Sequence, residues 1–169
     1  VGAQEGVKTA AVEMTRAITP VKDLKALWQL YRVLKREKPA IVHTHTPKAG
    51  LLGMLAAKMA GVPIRLHTVA GLPLMETTGN KRKVLEGVEK LTYNCATQVY
   101  PNSQNLAQFI LQNKFCSSSK IKVLGNGSSN GIDTEFFQSS PAIEEAANGL
   151  KKQHQITDEI LFSYLLAGW

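Results

Sequence analysis

The stretch that decides the fold is Ile41-Val42-His43-Thr44-His45-Thr46-Pro47-Lys48. A short β-branched run is followed directly by a Thr-Pro pair that is well suited to begin a helix. Thr46 can accept hydrogen bonds from the first free N–H groups, and Pro47 loses no hydrogen bond at the first helical position. The apolar run 49–60 continues the helix until Gly61 ends it. The stretch therefore predicts a strand, a tight turn and a helix.

Three of the four histidines lie where predicted strands end. His43 and His45 lie at the end of the first strand, and His67 follows a second predicted strand, 63–66, at the same edge of the sheet. In an open parallel sheet, ligands gather at the carboxyl ends of the strands, beside helix N-termini that attract anions. Because strand side chains alternate, His43 and His45 should share one face and Thr44 the other. We expect the three histidines to meet in one crevice.

The rest of the chain alternates in the same way. The patterns predict further strands at 5–14, 97–100, 121–124 and 160–166, helices at 20–38, 81–94, 103–112 and 144–153, and loops at 71–80 and 125–133. The helix at 20–38 carries an apolar stripe from Leu24 to Leu34 that should face the core. Strands separated by helices of this length predict an α/β fold, a doubly wound and mostly parallel sheet with helices on both faces.

Composition narrows the class of protein but not the reaction. A chain of 169 residues, 44% of them hydrophobic, is long enough for one domain with a real core. The formal charge of +7 favours anionic partners such as phosphate groups, acidic lipids or nucleic acid, without choosing among them. Cys95 and Cys116 lie far apart without metal-ligand spacing, which indicates free thiols in a reducing compartment.

Three strings carry a resemblance to a known family. They are His43-Thr44-His45-Thr46-Pro47-Lys48-Ala49-Gly50, Gly61-Val62-Pro63-Ile64-Arg65-Leu66-His67-Thr68-Val69 and Asn126-Gly127-Ser128-Ser129-Asn130-Gly131-Ile132-Asp133-Thr134-Glu135-Phe136-Phe137. Together they resemble the amino-terminal half of bacterial family-4 retaining glycosyltransferases that build capsular, O-antigen or other polyprenyl-linked glycans. The resemblance implies the GT-B fold, in which two Rossmann-like domains face a cleft. The acceptor then binds mainly to the first domain and the nucleotide-sugar to the second.

The resemblance also implies roles for particular residues. His67 would lie at the reaction centre, where a neutral imidazole can bind a sugar hydroxyl or stabilise charge that develops on the departing diphosphate. His43 and His45 would shape the acceptor pocket, with Thr46 and Lys48 at its rim. Simpler explanations stay open: His67 as a strand-end histidine bonded to backbone, one of His43 and His45 as a buried structural residue, and Lys48 as a solvated surface lysine.

Two loops are implied to border the cleft. Asn102 and Ser103 follow the predicted strand 97–100, where helix capping alone would also explain them. Asn126, Gly127, Asn130 and Gly131 lie in the loop that leads towards the second domain. Glycine and asparagine tolerate left-handed backbone, so conformational freedom is an equally good explanation of their presence.

Residues 1–140 are interpreted as a partial first domain, 141–158 as a connector and 159–169 as the first strand of a donor-binding domain. The family's first strand and its glycine-rich turn find no counterpart here. Gly168-Trp169 stands where relatives continue Gly-Arg. We therefore expect the chain to be inactive by itself.

The resemblance implies a nucleotide-diphospho-sugar donor, a lipid-linked glycan acceptor, and no metal or other cofactor. The enzyme would work on the inner, cytoplasmic face of the membrane. The basic surfaces Lys22–Lys38 and Lys81–Lys90 suit an anionic membrane rather than nucleic acid, although both are equally explained as solvated helix faces.

Two alternatives from other functional classes remain at this point. A His-x-His pair at a strand end is a real metal geometry, so His43, His45 and His67 are compatible with a zinc-dependent hydrolase. Against it, no convincing carboxylate or fourth histidine follows in a motif. The second alternative is a Rossmann-like binding module without enzymatic activity.

Overall fold

The computed structural model describes residues 6–15, 19–127, 134–136 and 138–155. The chain divides into two compact units, Val1–Ser129 and Asn130–Trp169. The described elements of the first unit are, in order, α1 Pro20–Glu37, β1 Ile41–Thr44, α2 Pro47–Ala60, β2 Ile64–Val69, a 3-10 helix Pro73–Glu76, α3 Gly79–Cys95, β3 Gln98–Pro101, α4 Gln104–Gln112 and a 3-10 helix Ser118–Lys120. The second unit contains α5, Pro141–Gln153.

The sheet is parallel, in the order β1-β2-β3. Thr44 lies opposite His67, and His67 lies opposite Val99. The observed strand β2 extends beyond the predicted strand 63–66, so His67 lies within β2 rather than at its end. Helices α1 to α5 match the predicted ones closely, and the Gly61 left-handed turn at φ 78° ends α2 as expected.

Two predicted strands are wrong in the described part of the chain. Residues 6–14 form no strand, because these mostly exposed residues find no neighbouring strand there to accept their backbone hydrogen bonds. The segment 121–124 makes one parallel bridge, between Ile121 and Val99, and the Lys122 N–H donates to the Val99 carbonyl. The chain then leaves the sheet. The predicted strand 160–166 and the segment 159–169 lie outside the described residues.

One hydrophobic core holds the sheet and its helices together. Met54 of α2, Tyr93 of α3 and Ile110 of α4 join Val69 and Val99 of the sheet in a single buried cluster. These helices therefore cover one face of the sheet. The other face of the sheet is more exposed in the described part of the chain. Helices were predicted on both faces, and the described helices cover one of them.

Helix α1 packs on α2, and only part of its predicted apolar stripe is buried. Ala26 is buried, whereas Val21, Leu24 and Trp28 are 85%, 67% and 54% exposed. The Trp28 ring stacks on Tyr31 at 5.1 Å. The expectation that the whole stripe faces the core is wrong, because a helix packed on one other helix buries a narrow strip. None of the described helices is both long and apolar enough to cross a bilayer.

Helix α2 lies very close to the sheet because two glycines face it. A Cβ at Gly53 would approach the Thr44 methyl carbon to 2.7 Å. A Cβ at Gly50 would collide with the His67 ring, lying 3.0 Å from Nδ1 and in closer contact with Cε1. The glycines thus set the distance between α2 and the two strands, and with it the position of His67.

This close contact predicts that Gly50→Ala destabilises the fold. The added methyl must displace His67 or the helix, and overpacking of this kind costs about 1–3 kcal/mol. Gly87→Ala in α3 is the matched control, since a Cβ there meets nothing within 4 Å. Relief of the helical glycine should stabilise that variant by roughly 0.5–1 kcal/mol. Urea unfolding of both variants measures the difference, and equal effects would contradict the packing argument.

Candidate functional site

A cavity of about 130 Å³ lies at the carboxyl edge of the sheet. Its walls come from three places: the turn between β1 and α2, the end of β2 with the residues that follow it, and one side chain of α3. The lining residues are His45, Thr46, Pro47, His67, Thr68, Val69, Ala70, Gly71 and Glu89. This is the edge at which open α/β sheets bind their ligands.

His67 is the most deeply buried polar group in the lining of this cavity. It is 2% exposed, and its Nδ1 lies 2.8 Å from Thr44 Oγ1, a hydrogen bond whose donor depends on the imidazole tautomer. Burial, helped by the nearby positive charge of His43 and His45 when protonated, lowers the pKa of His67 to about 4. At neutral pH the ring is therefore uncharged, so one nitrogen donates a hydrogen bond and the other accepts one.

His43 lies on the opposite face of the sheet from His67. Its Nε2 is 2.8 Å from Thr68 Oγ1, and its ring lies 4.2 Å from His45 and 6.3 Å from Tyr100. Burial, followed by the charge of His45, lowers the pKa of His43. The shared face of His43 and His45 is confirmed. The expectation that three histidines meet in one crevice is wrong for His43, because the pleat that pairs Thr44 with His67 places His43 on the other face. His45 and His67 do line one cavity.

Of the two residues predicted at the rim of the acceptor pocket, Thr46 lines the cavity and Lys48 does not. Thr46 lines the cavity and precedes the helix, but its side chain makes no capping hydrogen bond, so that prediction is wrong. Its carbonyl accepts the Gly50 N–H instead. Lys48 lies outside the cavity lining and pairs with Asp23 of α1 at 2.6 Å, which holds the pKa of that carboxyl below its usual range. The acceptor role of both residues stays a prediction.

The predicted cleft loops come together where the structure describes them. The Asn102 Nδ2 donates to the Ala70 carbonyl at 2.9 Å, and Ser103 Oγ accepts from the Leu106 N–H at 3.1 Å, which confirms the predicted cap of α4. Gly127, at φ 105°, approaches this turn so closely that a Cβ would lie 2.8 Å from the Asn102 carbonyl oxygen. Asn126 is exposed. Asn130 and Gly131 lie outside the described residues.

A groove of about 440 Å³ adjoins the cavity and shares Ala70 and Gly71 with it. The groove runs between the segment after β2 and helix α4. Its other lining residues are uncharged and combine amides with apolar groups: Leu72, Met75, Asn102, Ser103, Asn105, Leu106, Gln108, Phe109 and Gln112. Amide side chains beside an aromatic ring suit a ligand that carries hydroxyl groups and no charge.

Glu89 is the cavity residue that the sequence analysis missed. It lies on α3, is 5% exposed, and its buried neighbour Tyr93 lies four residues further along the helix. The Tyr93 ring is 5.9 Å from the His67 ring. One signal for Glu89 was present in the sequence. Leu85, Glu89 and Tyr93 follow a helical spacing of four, which places a carboxyl group on an apolar stripe.

The geometry does not support the zinc hydrolase. His43 and His67 lie on opposite faces of the sheet, and a ring nitrogen of each is bonded to a threonine. Within the residues that the structure describes, no three histidine, cysteine or acidic side chains gather as metal ligands.

A parallel sheet with a buried histidine and a neutral groove at its carboxyl edge is the layout of a Rossmann-like ligand-binding domain. Residues 2–127 match the Glycosyl transferase 4-like domain, and the chain belongs to this family. It is 43% identical over 127 residues to the capsular polysaccharide biosynthesis glycosyltransferase CapM of Staphylococcus aureus, covering 75% of this chain and 33% of that protein. The resemblance to bacterial family-4 glycosyltransferases is thereby confirmed.

A second relative is the UDP-Gal:alpha-D-GlcNAc-diphosphoundecaprenol alpha-1,3-galactosyltransferase of Escherichia coli. The two are 36% identical over 145 residues, which cover 82% of this chain and 36% of that enzyme. The chain thus spans about a third of the length of these curated relatives.

Solved structures agree on the fold. Anabaena HepE in complex with UDP and glucose gives a TM-score of 0.59 at 16% identity, over 90% of this chain and 38% of that one. The structure of S. aureus MnaA with UDP gives 0.55 at 21% identity, over 86% and 39%. At these identities the likeness concerns the fold alone, and it confirms the predicted α/β class.

The buried His67 predicts a loss of stability in acid. Its pKa is about 4 in the folded protein against 6.5 for an ordinary histidine. The unfolded chain therefore binds more protons between these two pH values. The free energy of unfolding that depends on an uncharged His67 is fully present above pH 6.5, and it falls as the pH drops towards 4. At pH 4 the loss from this group is about 3 kcal/mol.

Urea unfolding at pH 7 and pH 4 checks this expectation, with His67→Gln as the comparison. The acid-induced loss should be smaller in the variant by about that 3 kcal/mol, because the other titrating groups are retained. An identical loss in both proteins would show that His67 is not held uncharged.

Proposed function

We propose that this chain is the acceptor-side domain of a bacterial glycosyltransferase. The enzyme moves a hexose or N-acetylhexosamine from a nucleotide-diphospho-sugar to a polyprenyl-linked saccharide during surface polysaccharide synthesis, with retention at the anomeric carbon. Membership of the Glycosyl transferase 4-like family is the observation that carries the proposal. The functions of the S. aureus and E. coli relatives, capsule synthesis and galactosyl transfer to a diphosphoundecaprenol-linked sugar, support the choice of substrates.

The uncharged His67 is the group that we place at the reaction centre. Its ring lies at the cavity wall with Nδ1 bonded to Thr44, and Gly50 holds it from behind. A fixed imidazole costs no reorganisation when it binds a sugar hydroxyl or when charge develops on the leaving diphosphate. Its low pKa keeps it neutral, so it neither repels a cationic transition state nor forms an ion pair with the donor.

The acceptor saccharide is proposed to enter through the neutral groove along α4 and to end in the cavity beside His45 and Thr46. The groove supplies amide groups from Asn105, Gln108 and Gln112, which bind hydroxyls without requiring a charged ligand. The shared residues Ala70 and Gly71 make groove and cavity continuous. Lys48 lies outside the lining of both the groove and the cavity, and it is proposed to contact the acceptor diphosphate at the rim by exchanging its partner Asp23 for a phosphate.

The nucleotide-sugar is proposed to bind to a second domain, and the reaction is proposed to need no catalytic metal or other cofactor. Cationic side chains and helix N-termini then balance the diphosphate charge.

A peripheral contact with the cytoplasmic face of the membrane completes the proposal. The exposed side chains of Val21, Leu24 and Trp28 lie on α1 next to the exposed Lys22 and Lys25. A tryptophan with lysines around it suits the boundary between lipid headgroups and acyl chains. The net charge of +7 adds attraction to anionic lipids.

The proposal predicts a large catalytic defect for His67→Ala in the enzyme that carries this domain. Loss of one preorganised donor costs roughly 2–4 kcal/mol of transition-state stabilisation, which is a fall of about 30- to 1,000-fold in kcat. Transfer of labelled sugar to a lipid-linked acceptor measures the rate. His154→Ala, in the second unit, is the histidine control and should transfer normally. If folded His67→Ala protein keeps activity within a few-fold of the parent, His67 does not act at the reaction centre.

A second prediction separates the two substrates. His45→Ala and Lys48→Ala should raise the apparent KM for the acceptor and leave that for the nucleotide-sugar nearly unchanged, because this domain holds the acceptor. Lys48→Ala should also release Asp23 from its ion pair. Asp23→Asn therefore serves as the control that breaks the same pair without removing the lysine. A defect confined to the donor would reverse the assignment of the domain.

A further inference from the structure

The carboxyl group of Glu89 is buried beside His67 without an ionic partner. Glu89 is 5% exposed and belongs to the lining of the cavity, to which His67 contributes from the sheet and Glu89 from α3. In the described part of the chain it forms no salt bridge, whereas Glu86, one turn earlier on the same helix, pairs with Arg82 at 3.0 Å. Acidic side chains are rarely buried unless they are paired.

Tyr93, one turn further along α3, carries a fully buried hydroxyl that lacks a hydrogen-bond partner among the described residues. Its interaction with the Glu89 carboxyl opposes the rise that burial causes in the pKa of Glu89, although the hydroxyl makes no hydrogen bond of good geometry. Burial raises the pKa of Glu89, and burial together with the Glu89 charge raises the pKa of Tyr93. Two buried polar groups thus lie one turn apart on α3, and in the described part of the chain the Glu89 carboxyl has no ionic partner.

Such a pair lowers the stability of the fold. A buried polar group without a hydrogen bond destabilises the folded state, and a buried carboxylate destabilises it more. An apolar side chain of similar size at position 89 would avoid this cost and pack against the core. The carboxyl opens on the cavity rather than into the core, so a ligand in the cavity can supply the missing hydrogen bonds.

We propose that Glu89 is a substrate-binding residue whose carboxyl group holds a hydroxyl of the sugar that occupies the His67 cavity. The inference rests on the proposed function. Glu89 on α3 and His67 on β2 line the same small cavity. A sugar between them is therefore bound through two of its hydroxyl groups. At about 130 Å³ the cavity takes part of one sugar, well below the roughly 300 Å³ of a pocket for a whole drug-sized ligand.

The test compares Glu89→Gln with Glu86→Gln in the enzyme that carries this domain. Glu86 is the matched control, since it lies on the same helix and is paired at the surface with Arg82. Glu89→Gln should lower kcat/KM by roughly 10- to 100-fold, the factor expected for one hydrogen bond to a charged group. Glu86→Gln should remain within a few-fold of the parent.

Substrates that lack single hydroxyls then identify the contact. For one deoxy-sugar, in the donor or in the acceptor, the penalty seen with the parent enzyme should vanish in Glu89→Gln, because the two changes remove the same hydrogen bond. Glu89→Met adds a readout independent of activity: it should raise the melting temperature, as expected when a buried carboxyl without a partner is replaced by an apolar group.

Three outcomes would overturn the inference. The first is normal transfer by Glu89→Gln. The second is a defect that is equal for every deoxy-sugar, together with a lower melting temperature of Glu89→Met. Either result would mean that the glutamate has a structural role. In these two cases, transfer by the parent enzyme leaves the proposed function standing. Absence of sugar transfer by the parent enzyme would overturn both together.

Discussion

The close contact between Gly50 of α2 and the ring of His67 is the constraint on which the rest of the structure depends. No side chain larger than hydrogen fits between the helix and the strand at this point. The helix therefore sits low on the sheet, its N-terminus reaches the carboxyl edge, and His67 is removed from water. Gly53 does the same beside Thr44, so two glycines one turn apart fix both strands against one helix.

The chemistry of the site follows from this packing. A histidine pressed between a helix and a sheet cannot be solvated as a cation, and its pKa falls to about 4. Thr44 occupies Nδ1, which fixes the ring orientation. The outcome is a rigid, uncharged hydrogen-bonding group at the wall of a small cavity. Such a group suits a sugar better than a phosphate, and the uncharged groove next to it has the same preference.

Local signals in the sequence predicted the fold well, and long-range ones were harder to read. The Thr-Pro start and Gly61 end of α2 depend on neighbours in the chain, and both were placed correctly. The separation of His43 from His67 depends on the register of β1 against β2, which a single strand does not reveal. The ion pair of Lys48 with Asp23 joins two helices. The burial of Glu89 was visible only as a carboxyl group on an apolar stripe.

His67 is held uncharged and is proposed to bind a sugar, and nitrogen-15 NMR of the histidine rings tests both statements most directly. Spectra of the enzyme between pH 5 and pH 8 should show His67 as one neutral tautomer throughout. Addition of the lipid-linked acceptor or the nucleotide-sugar should shift the resonance of its Nε2, while His154 stays unchanged. A His67 ring that becomes protonated near pH 6.5, or one that does not respond to either substrate, would contradict the account.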